Sequence, residues 1–245
     1  HPLPHRLRCV LGLDAKNPAI VLEDADLKTA IKECLLGALS YNGQRCTAIK
    51  ILFVHNSVLQ PFTAGLCEAL AGLKIGMPWD GDVNLTPLPE PGKTDYLTGL
   101  LEDARSHGAS VLNPMGGTAN GTFFYPAVLC PVNEKMRIFH EEQFGPLVPI
   151  VPFEDISTVI RFITESNYGQ QVAIFGRDSA RLAALIDPLA NQVCRVNINS
   201  QCQRGPDELP FTGRKDSAQG TLSVSDALKV FSIRTLVAAK ETDLN

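Results

Sequence analysis

Strand-like apolar runs alternating with amphipathic helical stretches predict an α/β fold, an open and mostly parallel sheet with helices on both faces. Three observations carry this. Short runs rich in β-branched residues, such as Ala19 to Leu22 and Ile49 to Val54, recur along the chain. Between them, apolar residues fall at helical spacing, as Phe62, Leu66 and Leu70 do at intervals of four. The junctions are marked by Gly, Pro, Asn or Asp, the residues that cap helices and close turns.

Ala19 to Leu22 reads as a short buried strand. Asp24 or Asp26 offers an N-cap for a helix to about Leu39, with Leu27, Ala30, Ile31, Leu35 and Ala38 on one face. Tyr41 to Arg45 breaks that helix, and Ala48 to His55 is the next strand. Ser57 to Leu73 is amphipathic, and the Pro-, Gly- and Asp-rich stretch Pro78 to Pro91 is a surface connection. A helix from Thr94 to His107 is closed by Gly108. Strands are expected at Ser110 to Leu112, Phe123 to Leu129 and Val148 to Phe153. Asp155 caps a helix to Glu165, Asn167-Tyr168-Gly169 forms a turn, and Val172 to Phe175 is a strand. Asp178 caps a helix to Ala190, and Arg195 to Ile198 is a further strand. A helix from Ser223 to Phe231 and a final strand from Thr235 to Ala239 complete the pattern, without repeats.

Composition bounds the function. With 44% hydrophobic and 20% charged residues, the 245-residue chain is of ordinary globular type. A net charge of −4 gives no footprint for nucleic acid, and no apolar run approaches the ~20 residues of a membrane span. The seven cysteines show neither a CxxC pair nor zinc-ligand spacing, so free thiols are expected, and no metal. The start His1-Pro2-Leu3-Pro4 does not resemble a signal peptide, so a cytoplasmic location is expected. The five histidines give no ligand set, and His140 reads as a loop residue.

Chemistry points to Cys46. It stands in Asn42-Gly43-Gln44-Arg45-Cys46-Thr47-Ala48, a turn between two regular elements that presents a thiol at a sheet edge. The thiolate is the reactive form, and the neighbouring Arg45 favours it. A second motif, Glu141-Glu142-Gln143-Phe144-Gly145-Pro146, lies downstream. A third comprises Asn199-Ser200, Arg204-Gly205-Pro206-Asp207, Pro210-Phe211 and Lys215-Asp216-Ser217. Upstream stand Lys16-Asn17-Pro18-Ala19-Ile20-Val21 and Glu23-Asp24-Ala25-Asp26-Leu27.

In this order, these motifs resemble the aldehyde dehydrogenase superfamily, in its non-phosphorylating glyceraldehyde-3-phosphate dehydrogenase branch. The resemblance implies a catalytic domain over residues 11–217 and a C-terminal tail over 218–245 that extends toward neighbouring subunits of a homo-oligomer. It also implies that the N-terminal dinucleotide-binding domain is absent from this chain, and no Gly-rich phosphate loop follows a strand pattern. The cofactor would be NADP or NAD, held by the longer parent rather than by this chain alone.

By the same resemblance, Cys46 is the nucleophile and its backbone N–H is one oxyanion donor. Glu142 would hold the nicotinamide ribose hydroxyls, since a carboxylate can accept two hydrogen bonds from a diol. Phe144 would pack on the nicotinamide. Arg45 and Arg204 would bind the phosphate of a small phosphorylated aldehyde, a task suited to a planar, always charged fork. Phe211 would line the substrate entrance. Gln143 stands where Pro or an aliphatic residue is common, with little chemical effect expected. One departure is serious: Gly12 occupies the position of the family's general-base glutamate. Asp14, two residues away and shorter, is a poor substitute. The parent activity would be oxidation of glyceraldehyde 3-phosphate. The rival readings are an impaired relic kept for oligomerisation or interaction, and a thiol esterase.

Overall fold

The computed structural model describes residues 2–240. At its centre lies a seven-stranded sheet in the spatial order Arg195–Ile198, Gln171–Phe175, Pro18–Val21, Ile51–His55, Leu147–Phe153, Ala127–Cys130, Ser110–Val111. Neighbours run parallel except at one edge, where Ser110–Val111 pairs antiparallel with Ala127–Cys130. The helices are α1 (Leu27–Leu39), α2 (Leu59–Ala71), α3 (Lys93–Ser106), α4 (Arg137–His140), α5 (Ile156–Glu165), α6 (Ser179–Ala190) and α7 (Val224–Val230).

Side chains alternate across the strands, so each strand feeds two cores. Ile20, Ile51, Phe53 and Ile174 pack with Leu97 and Leu100 of α3, Phe162 of α5 and Leu185 of α6. Ala19, Val21, Leu52 and Val54 pack on the other face with Cys34 of α1 and with Phe62 and Leu66 of α2. Continuous burial on both faces is why these strands read as unbroken apolar runs. No helix among the described residues is long and apolar enough to cross a membrane.

Four expectations are corrected. The strand expected from Ala48 starts at Ile51, because Ala48 N–H bonds Arg45 O and Ile49 N–H bonds Gly37 O before the ladder begins. The run Phe123 to Leu129 splits at Pro126, which has no N–H to give and restricts the residue before it. Phe123–Phe124 pairs with Ala119–Asn120, whereas Ala127–Cys130 joins the main sheet. Tyr168–Gly169 is not a free turn but pairs antiparallel with Arg214–Lys215. The final strand does not form: residues 233–240 join no ladder among the described residues, and Leu236 is 89% exposed. A β-prone run with no sheet edge beside it has nothing to pair with. His1 and residues 241–245 of the expected tail lie outside the described residues.

The caps read from sequence at Asp155 and Asp178 are formed. Asp155 accepts from Ser157 N–H, and Asp178 Oδ1 accepts from the N–H groups of Ala180 and Arg181. Replacing Asp178 by Ala should therefore lower stability by about 1 kcal/mol. Urea unfolding followed by circular dichroism checks this, with a lower midpoint at an unchanged slope.

Candidate active site

Three motifs meet where neighbouring parallel strands begin. Asn17, Lys50 and Gln171 each stand at or immediately before the first residue of adjacent strands, and Gln143 shortly precedes a fourth. Their side chains extend the ladder past the sheet edge. Asn17 accepts from Gln171 N–H and donates to the carbonyls of Cys46 (2.8 Å) and Ala48 (3.1 Å). Gln143 donates to Lys50 O and Leu147 O, both at 2.9 Å.

The thiol is presented by a strained reversal after α1. Tyr41 (φ 54°), Asn42 (φ 57°) and Gly43 (φ 72°) are consecutively left-handed. That conformation costs roughly 1–2 kcal/mol at each non-glycine residue. Two hydrogen bonds offset it at Asn42, whose amide donates to Thr86 Oγ1 and accepts from Thr86 N–H, each at 2.9 Å. Gly43 is required twice over: a Cβ there would lie 2.7 Å from Gly145 O and 2.8 Å from Ala38 O. The cysteine motif thus abuts the Phe-Gly-Pro motif through glycine. Beyond the reversal, Ala48 N–H closes a turn onto Arg45 O (3.1 Å), and Cys46 is exposed on it.

Beneath the turn lies Lys50, its side chain 1% exposed. Its Nζ donates to Cys46 O (2.8 Å) and Arg45 O (3.0 Å) and pairs with Glu142 Oε1 (3.0 Å). Burial pulls the Lys50 pKa down and the Glu142 pKa up, and the attraction between the two opposes both shifts. Lys16 is a second buried ammonium, bonded to Glu141 O (2.7 Å) and Gln143 Oε1 (2.8 Å). Burial and the nearby Lys50 hold its pKa well below the usual lysine range. Gln143, expected to have little chemical effect, has a structural one, because its amide joins both lysine segments to the sheet.

The two glutamates separate by role. Glu141 is held by Arg137 through two bonds (2.8 and 3.0 Å) and by the Tyr96 hydroxyl (3.2 Å). That same hydroxyl is pushed up to about 12 by burial and the Glu141 charge. Glu142 receives Lys50 and Ala15 N–H (3.1 Å) on Oε1 alone, and among the described residues Oε2 bonds no chain group. An oxygen so placed has the capacity to accept from a hydroxyl group. Phe144 is left-handed (φ 42°), and its ring centroid lies 6.0 Å from Lys50 Nζ and 5.7 Å from Lys93 Nζ.

Arg45 and Arg204 are placed differently. Arg45 Nη2 donates to Gly37 O (3.0 Å) and Gln201 Oε1 (3.3 Å), while its Nε is buried without a partner among the described residues. Arg204 is exposed, pairs with Asp207 (3.4 Å) and stacks 5.0 Å from the Phe211 ring centroid. No hydrogen bond or shared acceptor joins the two arginines among the described residues. Gly12 pairs with Ala218 in a two-residue ladder, and a Cβ added to it meets nothing within 4 Å. It lines a small cleft with Phe211 and Ser217.

Two further residues from the motifs turn out to be structural. Lys215 Nζ donates to the carbonyls of Ile163, Thr164 and Ser166, satisfying the end of α5. Asn199 bonds both the N–H and the carbonyl of Gly176. His140, read as a loop residue, closes the single turn α4. No group of three or more His, Cys, Asp or Glu among the described residues could hold a metal ion.

A profile described as aldehyde dehydrogenase family matches residues 5–237. The chain belongs to the aldehyde dehydrogenase family. The NADP-dependent glyceraldehyde-3-phosphate dehydrogenase of Triticum aestivum is 34% identical over 235 residues, covering 96% of this chain and 45% of that protein. The same enzyme of Streptococcus equinus is 34% identical over 233 residues, covering 95% and 47%. The crystal structure of the NADP-dependent enzyme of Bacillus halodurans C-125, complexed with NADP, superposes with a TM-score of 0.85 at 39% identity. That match covers 89% of this chain and 45% of the crystallised one. The chain thus spans about half the length of these aldehyde dehydrogenases.

The reversal ahead of Cys46 generates a direct test. Gly43→Ala must place a Cβ against two backbone oxygens in a left-handed conformation, so stability should fall by about 3 kcal/mol or more. Urea unfolding measures this, and a loss below about 1 kcal/mol would show that the reversal relaxes freely.

Proposed function

We propose that this domain carries the nucleophile of an NADP- or NAD-dependent aldehyde dehydrogenase that oxidises glyceraldehyde 3-phosphate to 3-phosphoglycerate. One observation carries the reading: an exposed Cys46 and the Glu142 carboxylate are joined through a single buried ammonium, Lys50. The Cys46 sulfur adds to the aldehyde carbon, and the carbonyl oxygen becomes an alkoxide for the Cys46 N–H to receive. Loss of hydride from that carbon leaves a thioester, which water cleaves to the acid and the free thiol. The nicotinamide cofactor, when bound, accepts the hydride. Glu142 Oε2 would take a ribose hydroxyl, and Phe144 would flank the ring.

The phosphorylated substrate rests on arginine. Arg45 Nε is a buried donor without an acceptor among the described residues, and an anion would satisfy it. Arg204 adds an exposed guanidinium steadied on Phe211. Gly12 offers no proton acceptor, so the thioester step in this chain lacks the ~10²–10⁴-fold that a general base supplies.

Two outcomes are expected. Limiting iodoacetamide at neutral pH, followed by peptide mapping, should modify Cys46 ahead of the other cysteines. Preferential labelling of another cysteine in the folded chain would remove the nucleophile assignment. This chain alone should form no NADPH from glyceraldehyde 3-phosphate, measured by absorbance. Gly12→Glu should leave that result unchanged here, yet raise turnover in a longer protein that joins this domain to a dinucleotide-binding one. Catalytic NADPH formation by the chain alone would contradict the role given to Gly12.

A further inference from the structure

Lys50 does more than fill a buried position. An ammonium has three donors, and Lys50 directs them to Arg45 O, Cys46 O and Glu142 Oε1 at 3.0, 2.8 and 3.0 Å, with Ala48 O farther away at 3.5 Å. Two of these acceptors are peptide carbonyls of the cysteine turn, and the third is the free-sided carboxylate. The same Cys46 carbonyl is held from the other side by Asn17. Displacement of Glu142 therefore pulls on the peptide that carries the thiol. It also changes how much of the Lys50 charge is neutralised beside that thiol.

We propose that Lys50 is a positioning residue that registers the Cys46 turn against Glu142 and couples the thiol's reactivity to the state of that carboxylate. The inference rests on the reading of Cys46 as the nucleophile. The charged and titratable groups facing Lys50 are Glu142, Lys16, Cys46 and Cys202, and Arg45 flanks Cys46. Of these, Glu142 is the anion in contact with Lys50. Nearby positive charge favours thiolate, so removing Lys50 and removing the Glu142 charge should act in opposite directions. Loosening of the fold would not separate the two signs.

The experiment alkylates the intact chain with limiting iodoacetamide and follows Cys46 by mass spectrometry across a pH series. Exposed Cys9 and Cys194 serve as internal references. Lys50→Met keeps the unbranched side chain up to the position of Cε, without donors or charge. It should slow Cys46 about fivefold or more near neutral pH and move its rate profile to higher pH. Glu142→Gln keeps an oxygen acceptor for Lys50 but drops the charge. It should speed Cys46 about twofold or more and move the profile to lower pH. The reference cysteines should change less than about twofold in either variant. Circular dichroism checks folding, and if Lys50→Met does not fold, the Glu142→Gln shift decides alone. Variants that move Cys46 in the same direction, a Cys46 profile unmoved in Glu142→Gln, or equal changes at all three cysteines would overturn the proposal. In the unmodified chain, a Cys46 that reacts no faster than Cys9 would instead sink the nucleophile reading itself.

Discussion

A charge taken out of water costs several kcal/mol unless it is paired and hydrogen-bonded. Lys50, with its side chain 1% exposed, imposes that requirement on the whole site. Its acceptors come from the turn before one strand and from the segment before the next strand in the sheet, so both segments must converge. Lys16 imposes the same demand again, and Gln143 answers it by accepting from Lys16, while its amide nitrogen ties the Lys50 backbone carbonyl to the same segment. Within this network, deleting one member leaves a neighbour buried and unsatisfied, a loss of about 1–3 kcal/mol for a neutral group and more for a charged one.

The sheet makes this closure available at an uncommon end. Open parallel sheets generally hold ligands outside the carboxyl ends of their strands. Here Asn17, Lys50, Gln143 and Gln171 gather where adjacent strands start, with Pro18 directly beside Ile51 in the ladder. Because those strands are parallel and in register, residues that precede them in sequence become neighbours in space. The left-handed run Tyr41 to Gly43 then lets α1 end and the chain turn into that edge without crossing the sheet. Backbone strain of this kind persists only where surroundings over-determine it, and Asn42 with Thr86 and Gly43 with Gly145 supply that determination.

Much of this architecture was legible. Strand and helix periods located the parallel sheet, and the caps at Asp155 and Asp178 follow from short polar side chains ahead of apolar periods. The Cys46 turn and Glu142 were legible as motifs. The roles of Lys16, Asn17, Lys50 and Gln143 were not, because periodicity reports apolar faces and is silent on a polar residue satisfied by a distant segment. A faint signal existed: Asn17, Lys50 and Gln171 are polar residues set at the doorstep of apolar runs, where a buried polar group is more informative than a buried apolar one. The strand expected at Thr235 to Ala239 failed for the complementary reason. Its residues have β propensity, but pairing depends on an edge that this part of the chain does not reach.

Gly12 shows how a fold and its chemistry can separate. Its backbone keeps the ladder with Ala218, and nothing crowds the space a side chain would enter. The local structure is thus indifferent to whether a carboxylate stands there, and on the proposed reading its loss would be chemical rather than conformational. Addition of a thiol to an aldehyde needs a nucleophile and a donor for the oxyanion, and on the proposed reading the Cys46 turn would supply both. Hydrolysis of a thioester also needs activated water, and Asp14, two residues along and one methylene shorter than a glutamate, is exposed outside the strand. On that reading the arrangement would favour the first half of an acyl-transfer cycle over the second. The asymmetry would then lie at Gly12 and not in the network that holds the Cys46 turn.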